Sequence, residues 1–306
     1  MSNHYGGVPN MRYLGIILVM LAAFFWGISG GIASMLINIG WSPRIIAFYR
    51  GFIGLLCFLF WLLIASDRWN KKKLSQQVYL WSFIAGLGVA GNFIFYFLSI
   101  HFSSISIAAT LMYTAPIFVL VASLSLGMEQ STWTKWIGVV TVVIGVFLLS
   151  KGYTLDFNSV PIVAIILGII AGISYTIFLF GFKKAASTGE PASILTLAFL
   201  SFTMILFFFI DIEEMINVIR SNDLGWFILL GVLGAGLSFF IYIIGLRLIH
   251  PSTTAVVAMI EPLTAVFIGI IFLNNTLTVL QYIGIIIVLL SITFLSFKKN
   301  GPRKHA

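Results

Sequence analysis

Ser252-Thr-Thr-Ala-Val-Val-Ala-Met-Ile-Glu-Pro262 is followed by apolar residues as far as Leu273. One carboxylate, Glu261, therefore stands in the middle of an apolar segment, directly before a proline. A charge at that depth in a bilayer is costly, so Glu261 must face protein or water rather than acyl chains. The same stretch has a counterpart 146 residues earlier, Ser106 to Pro116, with Ala115 at the glutamate position. At this shift Leu87–Ser150 aligns with Leu233–Ser296 without a gap, and 13 of the 64 pairs are identical. Gly88/Gly234, Phe93/Phe239, Tyr96/Tyr242, Pro116/Pro262 and Gly138/Gly284 are among them. Apolar bias alone does not produce matched Gly, Pro and Tyr. Earlier segments match more loosely, Trp26 with Tyr175 and Pro43 with Pro191. The chain reads as a duplication, with halves at residues 1–155 and 156–306.

Composition sets the class. Of 306 residues, 60% are hydrophobic and 8% charged, with a mean hydropathy of +1.10. Ordinary soluble domains carry about 25% charged residues, so an integral membrane protein is expected. The lone Cys57 lies in an apolar run and cannot form an intramolecular disulfide or a metal cluster. No cleavable signal peptide is expected, because the first apolar run, Tyr13–Ile37, exceeds the length of such a segment.

A bilayer core of about 30 Å takes some 20 apolar helical residues. Ten segments qualify: Tyr13–Ile37, Ile45–Ala65, Tyr79–Ile100, Ser104–Gly127, Trp133–Ser150, Val160–Phe182, Ala192–Ile210, Leu224–Ile249, Thr253–Leu273 and Val279–Phe297. The predicted fold is all-α, a polytopic membrane protein of ten transmembrane helices. Tyr79 to Leu126 would span about 72 Å as one helix, so a tight turn is required near His101-Phe-Ser-Ser104. With ten spans, thirteen of the seventeen Lys and Arg fall on the side of the termini and three on the other, with Arg50 inside a span. Positive charge accumulates on the cytoplasmic face, which predicts both termini in the cytoplasm of a plasma-membrane protein. The net charge of +8 thus reads as topology rather than nucleic-acid binding. Five spans per half is an odd number, so the halves enter the membrane in opposite directions. Inverted repeats place a substrate site at the midplane between them.

At this point the chain resembles the drug/metabolite transporter superfamily, EamA type. The resemblance rests on Ala23-Phe-Phe-Trp-Gly27, Arg50, Pro116 with Glu129 thirteen residues on, Thr132, Gly138 and Glu261-Pro262. The ninth span of that family usually ends in a second Glu, which is Asn275 here. The resemblance implies metabolite transport, often export, of amino acids and other small molecules.

The residues themselves offer a candidate site. Asn92 and Tyr96 lie four apart on one helix face, and Ser238 and Tyr242 occupy the same places in the second half. Trp26 and Tyr175 form another repeat-related pair at mid-span. These six suit a cavity for a partly apolar, uncharged or zwitterionic ligand, or hydrogen bonds between helices. Tyr113 is a weaker candidate. Arg50 and Glu261 are the charges farthest from segment ends. Three readings stay open for them: a structural ion pair, a coupling proton on Glu261, or a contact with a charged substrate group. Arg50 could also snorkel to the interface. Gly27, Gly31 and Ser34, and Gly168 with Gly172, stand at helical spacing and read as packing faces.

No nucleophile, phosphate-loop or metal-ligand spacing occurs, so neither an enzyme nor a cofactor nor a metal is expected. The longest connections, Ser66–Val78 and Asp211–Asp223, are too short for a catalytic domain, and Asp211, Glu213 and Glu214 read as a solvated face. The expected partners are a small-molecule metabolite and the lipid bilayer, with the oligomeric state open. The competing readings are a membrane enzyme acting on lipid-linked substrates and a non-transporting scaffold or sensor.

Overall fold

The computed structural model describes residues 9–65, 75–155, 160–273 and 276–297. Asn275 and the Lys71–Lys73 run lie outside them. Among the described residues all regular structure is helical. In chain order the helices are α1 (Pro9–Asn38), α2 (Pro43–Ala65), α3 (Gln76–Phe102), α4 (Ile105–Met112), α5 (Ala115–Ser125), α6 (Trp133–Leu149), α7 (Ile162–Ala185), α8 (Pro191–Phe207), α9 (Ile212–Arg220), α10 (Leu224–Gly231), α11 (Ser238–Leu248), α12 (Pro251–Val257), α13 (Ile260–Leu273) and α14 (Val279–Phe297). A π-helical turn, Val232–Leu237, joins α10 to α11.

Seven helical stretches among the described residues are long and apolar enough to cross a membrane. They include the composite stretches Ile105–Ser125, Leu224–Leu248 and Pro251–Ile271. An eighth is the pair Pro191–Phe207 and Ile212–Arg220, bent by 114°. Trp133–Leu149 and Val279–Leu295 are apolar but shorter. All ten segments marked in the sequence are thus helical, seven of them within stretches of spanning length.

The composite stretches show what proline does. A proline lacks the N–H that would bond to the carbonyl four residues back, and its ring crowds that carbonyl. Four residues before Pro116 is Met112, where α4 ends; four before Pro262 is Ala258, which caps α12. Each stretch is therefore two half-helices that meet inside the span, and Glu261 falls in the first turn of the second half-helix. The turn expected near His101 is present: α3 stops at Phe102, and Ser104 Oγ accepts from Ile107 N (3.3 Å) to cap α4.

The Asp211–Asp223 segment differs from the expected solvated loop. It folds as α9, capped by Asp211, whose Oδ1 accepts from Glu213 N (2.8 Å). Glu213 and Glu214 sit in its first turn and Arg220 in its last, which suits the helix dipole at both ends. Nor is Glu214 merely solvated. It accepts from Ser42 N (2.8 Å) and Ser42 Oγ (2.6 Å), while Asp223 accepts from Trp41 Nε1 (2.9 Å).

The main helix pairings recur between the first and second parts of the chain. α3 packs along α7 as α1 packs along α11; α4 and α5 lie on α7 as α13 lies on α1; α2 pairs with α8, and α6 with α14. Under the repeat each of these pairings has its partner or is its own partner, whereas α12 packs on α5 and α6 with no equivalent of like extent between α4 and α13 or α14. Small residues make the close crossings possible. A methyl group at Gly181 would meet the backbone of Ala85, and one at Gly88 the backbone of Phe178. Gly27 and Gly31 serve α13 in the same way, and Gly168 and Gly172 serve the α4–α5 region.

Gly181→Ala should therefore force α3 and α7 apart and destabilise the protein by about 1–3 kcal/mol. Gly225→Ala, where a methyl meets nothing within 4 Å, should leave thermal unfolding in detergent unchanged or slightly raised. Equal melting of the two variants would contradict this packing.

Candidate functional site

A cavity of about 730 Å³ lies between the two halves. Its mouth is framed by Ile37, Pro43, Ile105, Ser150, Lys151, Thr276 and Leu277. These sit at the α1–α2, α3–α4, α6–α7 and α13–α14 connections, the end of the bundle opposite the described chain ends at Pro9 and Phe297. The cavity runs to mid-span and stops on Trp26, Tyr175, Phe178 and Phe239.

Four of the six predicted lining residues are brought together in its wall: Trp26, Asn92, Tyr96 and Tyr175, with Arg50, Glu261 and Tyr113 beside them. Ser238 and Tyr242, expected there too, do not line it. Both are fully buried, at 0% exposure. Tyr242 stacks behind the floor, its ring 4.9 Å from Trp26 and 6.4 Å from Phe178. Phe182 and Phe199 extend the same cluster through Phe239, at 5.8 and 4.9 Å. The reason is geometric. A cavity open at one end exposes Asn92 and Tyr96 and leaves their repeat partners Ser238 and Tyr242 buried, while Trp26 and Tyr175, at mid-span, both reach its floor.

Local structure fixes each wall residue. Asn92 Nδ2 donates to Ala171 O (2.9 Å), so it both lines the cavity and ties α3 to α7. Arg50 does not snorkel to the interface. Its Nε (3.0 Å) and Nη2 (2.8 Å) both donate to Gly234 O in the π-helical turn, and its guanidinium lies 5.3 Å from the Phe93 ring centre. At Gly234 a side chain would collide with Ser29 and with Arg50 itself. Arg50 and Glu261 are not in ion-pair contact within 4.0 Å.

The other end of the bundle is closed by a contact that sequence reasoning missed. Glu129, in the connection from α5 to α6, is 9% exposed. It accepts from Ser252 N (3.0 Å) and Ser252 Oγ (2.5 Å) at the start of α12, from Ser123 Oγ (2.8 Å), and from Lys135 Nζ (2.9 Å). First half and second half are joined here by one carboxylate. Nearby, Lys183 Nζ donates to Leu246 O (2.5 Å) and Ile249 O (2.7 Å), and Arg247 donates to Gly189 O. Lys183 and Arg247 thus bond backbone carbonyls at the turns where α11 and α7 end. A signal existed in the sequence: Ser106/Ser252 is an identical repeat pair, and Glu129 is the sole acid between Asp67 and Asp156.

Burial by itself would raise the Glu129 carboxyl, but hydrogen bonds from Lys135 and from the Ser252 side chain and backbone, with the Lys135 charge, outweigh it and hold the group below the usual range. Burial pushes the neighbouring His250 imidazole down, against the charge of Glu129 and with those of Lys135, Lys183 and Arg12. Both shifts favour an ionised carboxylate and a neutral imidazole at this end.

Comparison with known proteins follows the same outline. The family model for the EamA-like transporter family matches residues 13–151 and 162–297. The chain is 26% identical over 277 residues to an uncharacterized transporter of Archaeoglobus fulgidus, covering 90% of this chain and 93% of that one. It is 22% identical over 294 residues to the uncharacterized transporter YwfM of Bacillus subtilis, covering 94% and 95%. It is 25% identical over 282 residues to the threonine/homoserine exporter RhtA of Salmonella typhimurium, covering 89% and 88%. A solved crystal structure superposes with a TM-score of 0.72 over 94% of this chain and 95% of the other, at 13% identity, a likeness of fold.

A depressed carboxyl stabilises the fold above its unfolded value, about 4.3, and that stability is lost as pH falls through the folded value. Thermal stability in detergent should therefore hold from neutral pH to about 5 and decline in stronger acid. Glu129→Gln should cost about 1–3 kcal/mol at neutral pH, because it removes a charge-assisted acceptor, and should flatten the acid decline. An unchanged acid decline in the variant would show that Glu129 does not carry it.

Proposed function

The chain belongs to the EamA-like transporter family, a membrane transporter of small molecules, and from that premise we propose that it exports a small metabolite, an amino acid or close relative, by alternating access. The observation that carries this reading is the cavity itself. It lies between the halves, ends blindly at mid-span, and is sealed beyond by an aromatic plug and the Glu129–Ser252 contact. A scaffold has no use for such a space. A cavity of about 730 Å³ falls in the range of small-ligand sites.

On this reading the chain comprises ten spans in two inverted halves, 1–155 and 156–306. The opposite state arises when the halves exchange conformations. Ser238 and Tyr242 then enter the wall, and Asn92 and Tyr96 take the place of the plug. Support comes from the symmetric helix pairing and from the family match in each half. With both termini in the cytoplasm, the present mouth faces outward, the state from which an exporter releases its cargo. The similarity to a threonine/homoserine exporter supports the amino-acid class.

Cells expressing the protein should lose one class of amino acids to the medium relative to an empty control, and purified protein in proteoliposomes should move the same class. In a Cys57→Ser background, Tyr96→Cys should react with an impermeant thiol reagent from outside. Tyr242→Cys should react from the terminal side, and faster when substrate is supplied. Proteoliposomes that move no component of a whole metabolite extract would overturn the transporter reading; flux with Tyr242→Cys never reacting would overturn alternating access.

A further inference from the structure

Arg50 and Glu261 put opposite charges on the wall of one cavity at mid-span depth. Neither has an ionic partner within 4.0 Å among the described residues. Two hydrogen bonds to a neutral carbonyl and the face of Phe93 hold the guanidinium of Arg50 in place, yet leave its charge uncancelled. Glu261 sits at the break between α12 and α13, near the hydroxyls of Tyr96, Tyr113 and Tyr175. Lys151 is the third charged side chain of the lining, but it stands at the mouth.

We propose that Arg50 and Glu261 are the two ends of a zwitterion subsite, Arg50 taking the carboxylate and Glu261 the ammonium group of a free amino acid. This rests on the transporter reading above and names how the cargo is recognised. Buried charges in a membrane protein persist where they are paired or serve a ligand. A structural pair would close the gap, and here the gap is the cavity. A ligand with one charge would satisfy one group and leave the other facing it uncompensated. A zwitterion neutralises both and enters with no net charge. Its side chain is then directed to the aromatic floor of Trp26, Tyr175, Phe178 and Phe239. That floor has no charged member, so apolar and small polar side chains fit better than acidic or basic ones. Arginine suits the carboxylate end because its planar fork can offer two parallel donors, and the bonds to Gly234 O orient that fork.

The test uses proteoliposomes and three forms of the amino acid that the wild type moves: the free zwitterion, its α-amide and its N-acetyl derivative. The wild type should prefer the zwitterion by at least about tenfold over both single-charge forms. Arg50→Gln should lose about tenfold on the zwitterion while its discrimination against the amide collapses. Glu261→Gln should do the same toward the N-acetyl form. Arg50→Lys, which keeps the charge but not the fork, should retain part of the preference. Wild-type flux with no preference among the three forms overturns the proposal without any variant. So does an equal loss of all three forms in both variants at equal membrane abundance. In either case the transporter reading stands, whereas absence of all wild-type flux removes the reading and the proposal together.

Discussion

Hydrocarbon accepts and donates no hydrogen bonds, and nearly every feature of this structure answers to that constraint. An unbroken apolar helix satisfies its own backbone, which is why most spans need nothing else. Where a span departs from regular α-helix, or where two helices cross, polar side chains bond the backbone carbonyls found there. The π-helical turn at Val232–Leu237 presents Gly234 O, and Arg50 crosses from α2 to meet it. Thr114 Oγ1, at the break between α4 and α5, donates to Leu111 O (2.6 Å). Asn92 and Ser99 reach from α3 to Ala171 O and Ala164 O of α7. These bonds occur at helix crossings, so satisfying the backbone and joining the halves are one act.

The same constraint explains why only one end of the molecule is closed. Closing an end buries the ends of several helices, with their unpaired amides and carbonyls. Glu129 meets the exposed amide and hydroxyl of Ser252, while Lys183 and Arg247 meet carbonyls. At the other end Ser106, the repeat partner of Ser252, lines the open cavity. The residue matching Glu129 in the second half is Asn275. A carboxylate accepts strong charge-assisted bonds and an amide does not, so the two ends differ in how firmly they can be shut. The closed end is the one that carries the carboxylate.

Much of the fold was legible because the membrane simplifies the code. Length and hydropathy alone mark helices, and a shift of 146 residues exposes the duplication. The kinks were half legible: Pro116 and Pro262 were visible as an identical pair, but proline inside a span permits a bend, a break or neither. The bend after Phe207 was not legible, because Phe208, Phe209 and Ile210 continue the apolar run and only the cap at Asp211 ends it. Candidate wall residues were found by treating the halves as equivalent. That logic placed Trp26, Asn92, Tyr96 and Tyr175 on the cavity and also placed Ser238 and Tyr242 there, where the structure buries both, Tyr242 behind the aromatic floor. A sequence carries the symmetry of the cycle, whereas a single conformation breaks it. The bond from Ser252 to Glu129 escaped notice for a related reason: the two residues are 123 positions apart, and only packing brings them together.

Symmetry also separates the two kinds of residue in the cavity. Tyr96 and Tyr242 are a repeat pair, as are Trp26 and Tyr175, so an exchange of conformations between the halves trades their places. Arg50 and Glu261 have no such counterparts, since the matching positions are Ala198 and Ala115. A charge that is not duplicated cannot be handed from one half to the other. It must serve both states from a single position, and the only position reachable from either end is the middle of the span. Arg50 meets that requirement through the π-helical turn, and Glu261 through the break before Pro262. In the proposed cycle the aromatic pairs would act as moving walls while the two charges stay fixed, so that the part of a ligand they hold would remain at one depth as access passes from one side to the other.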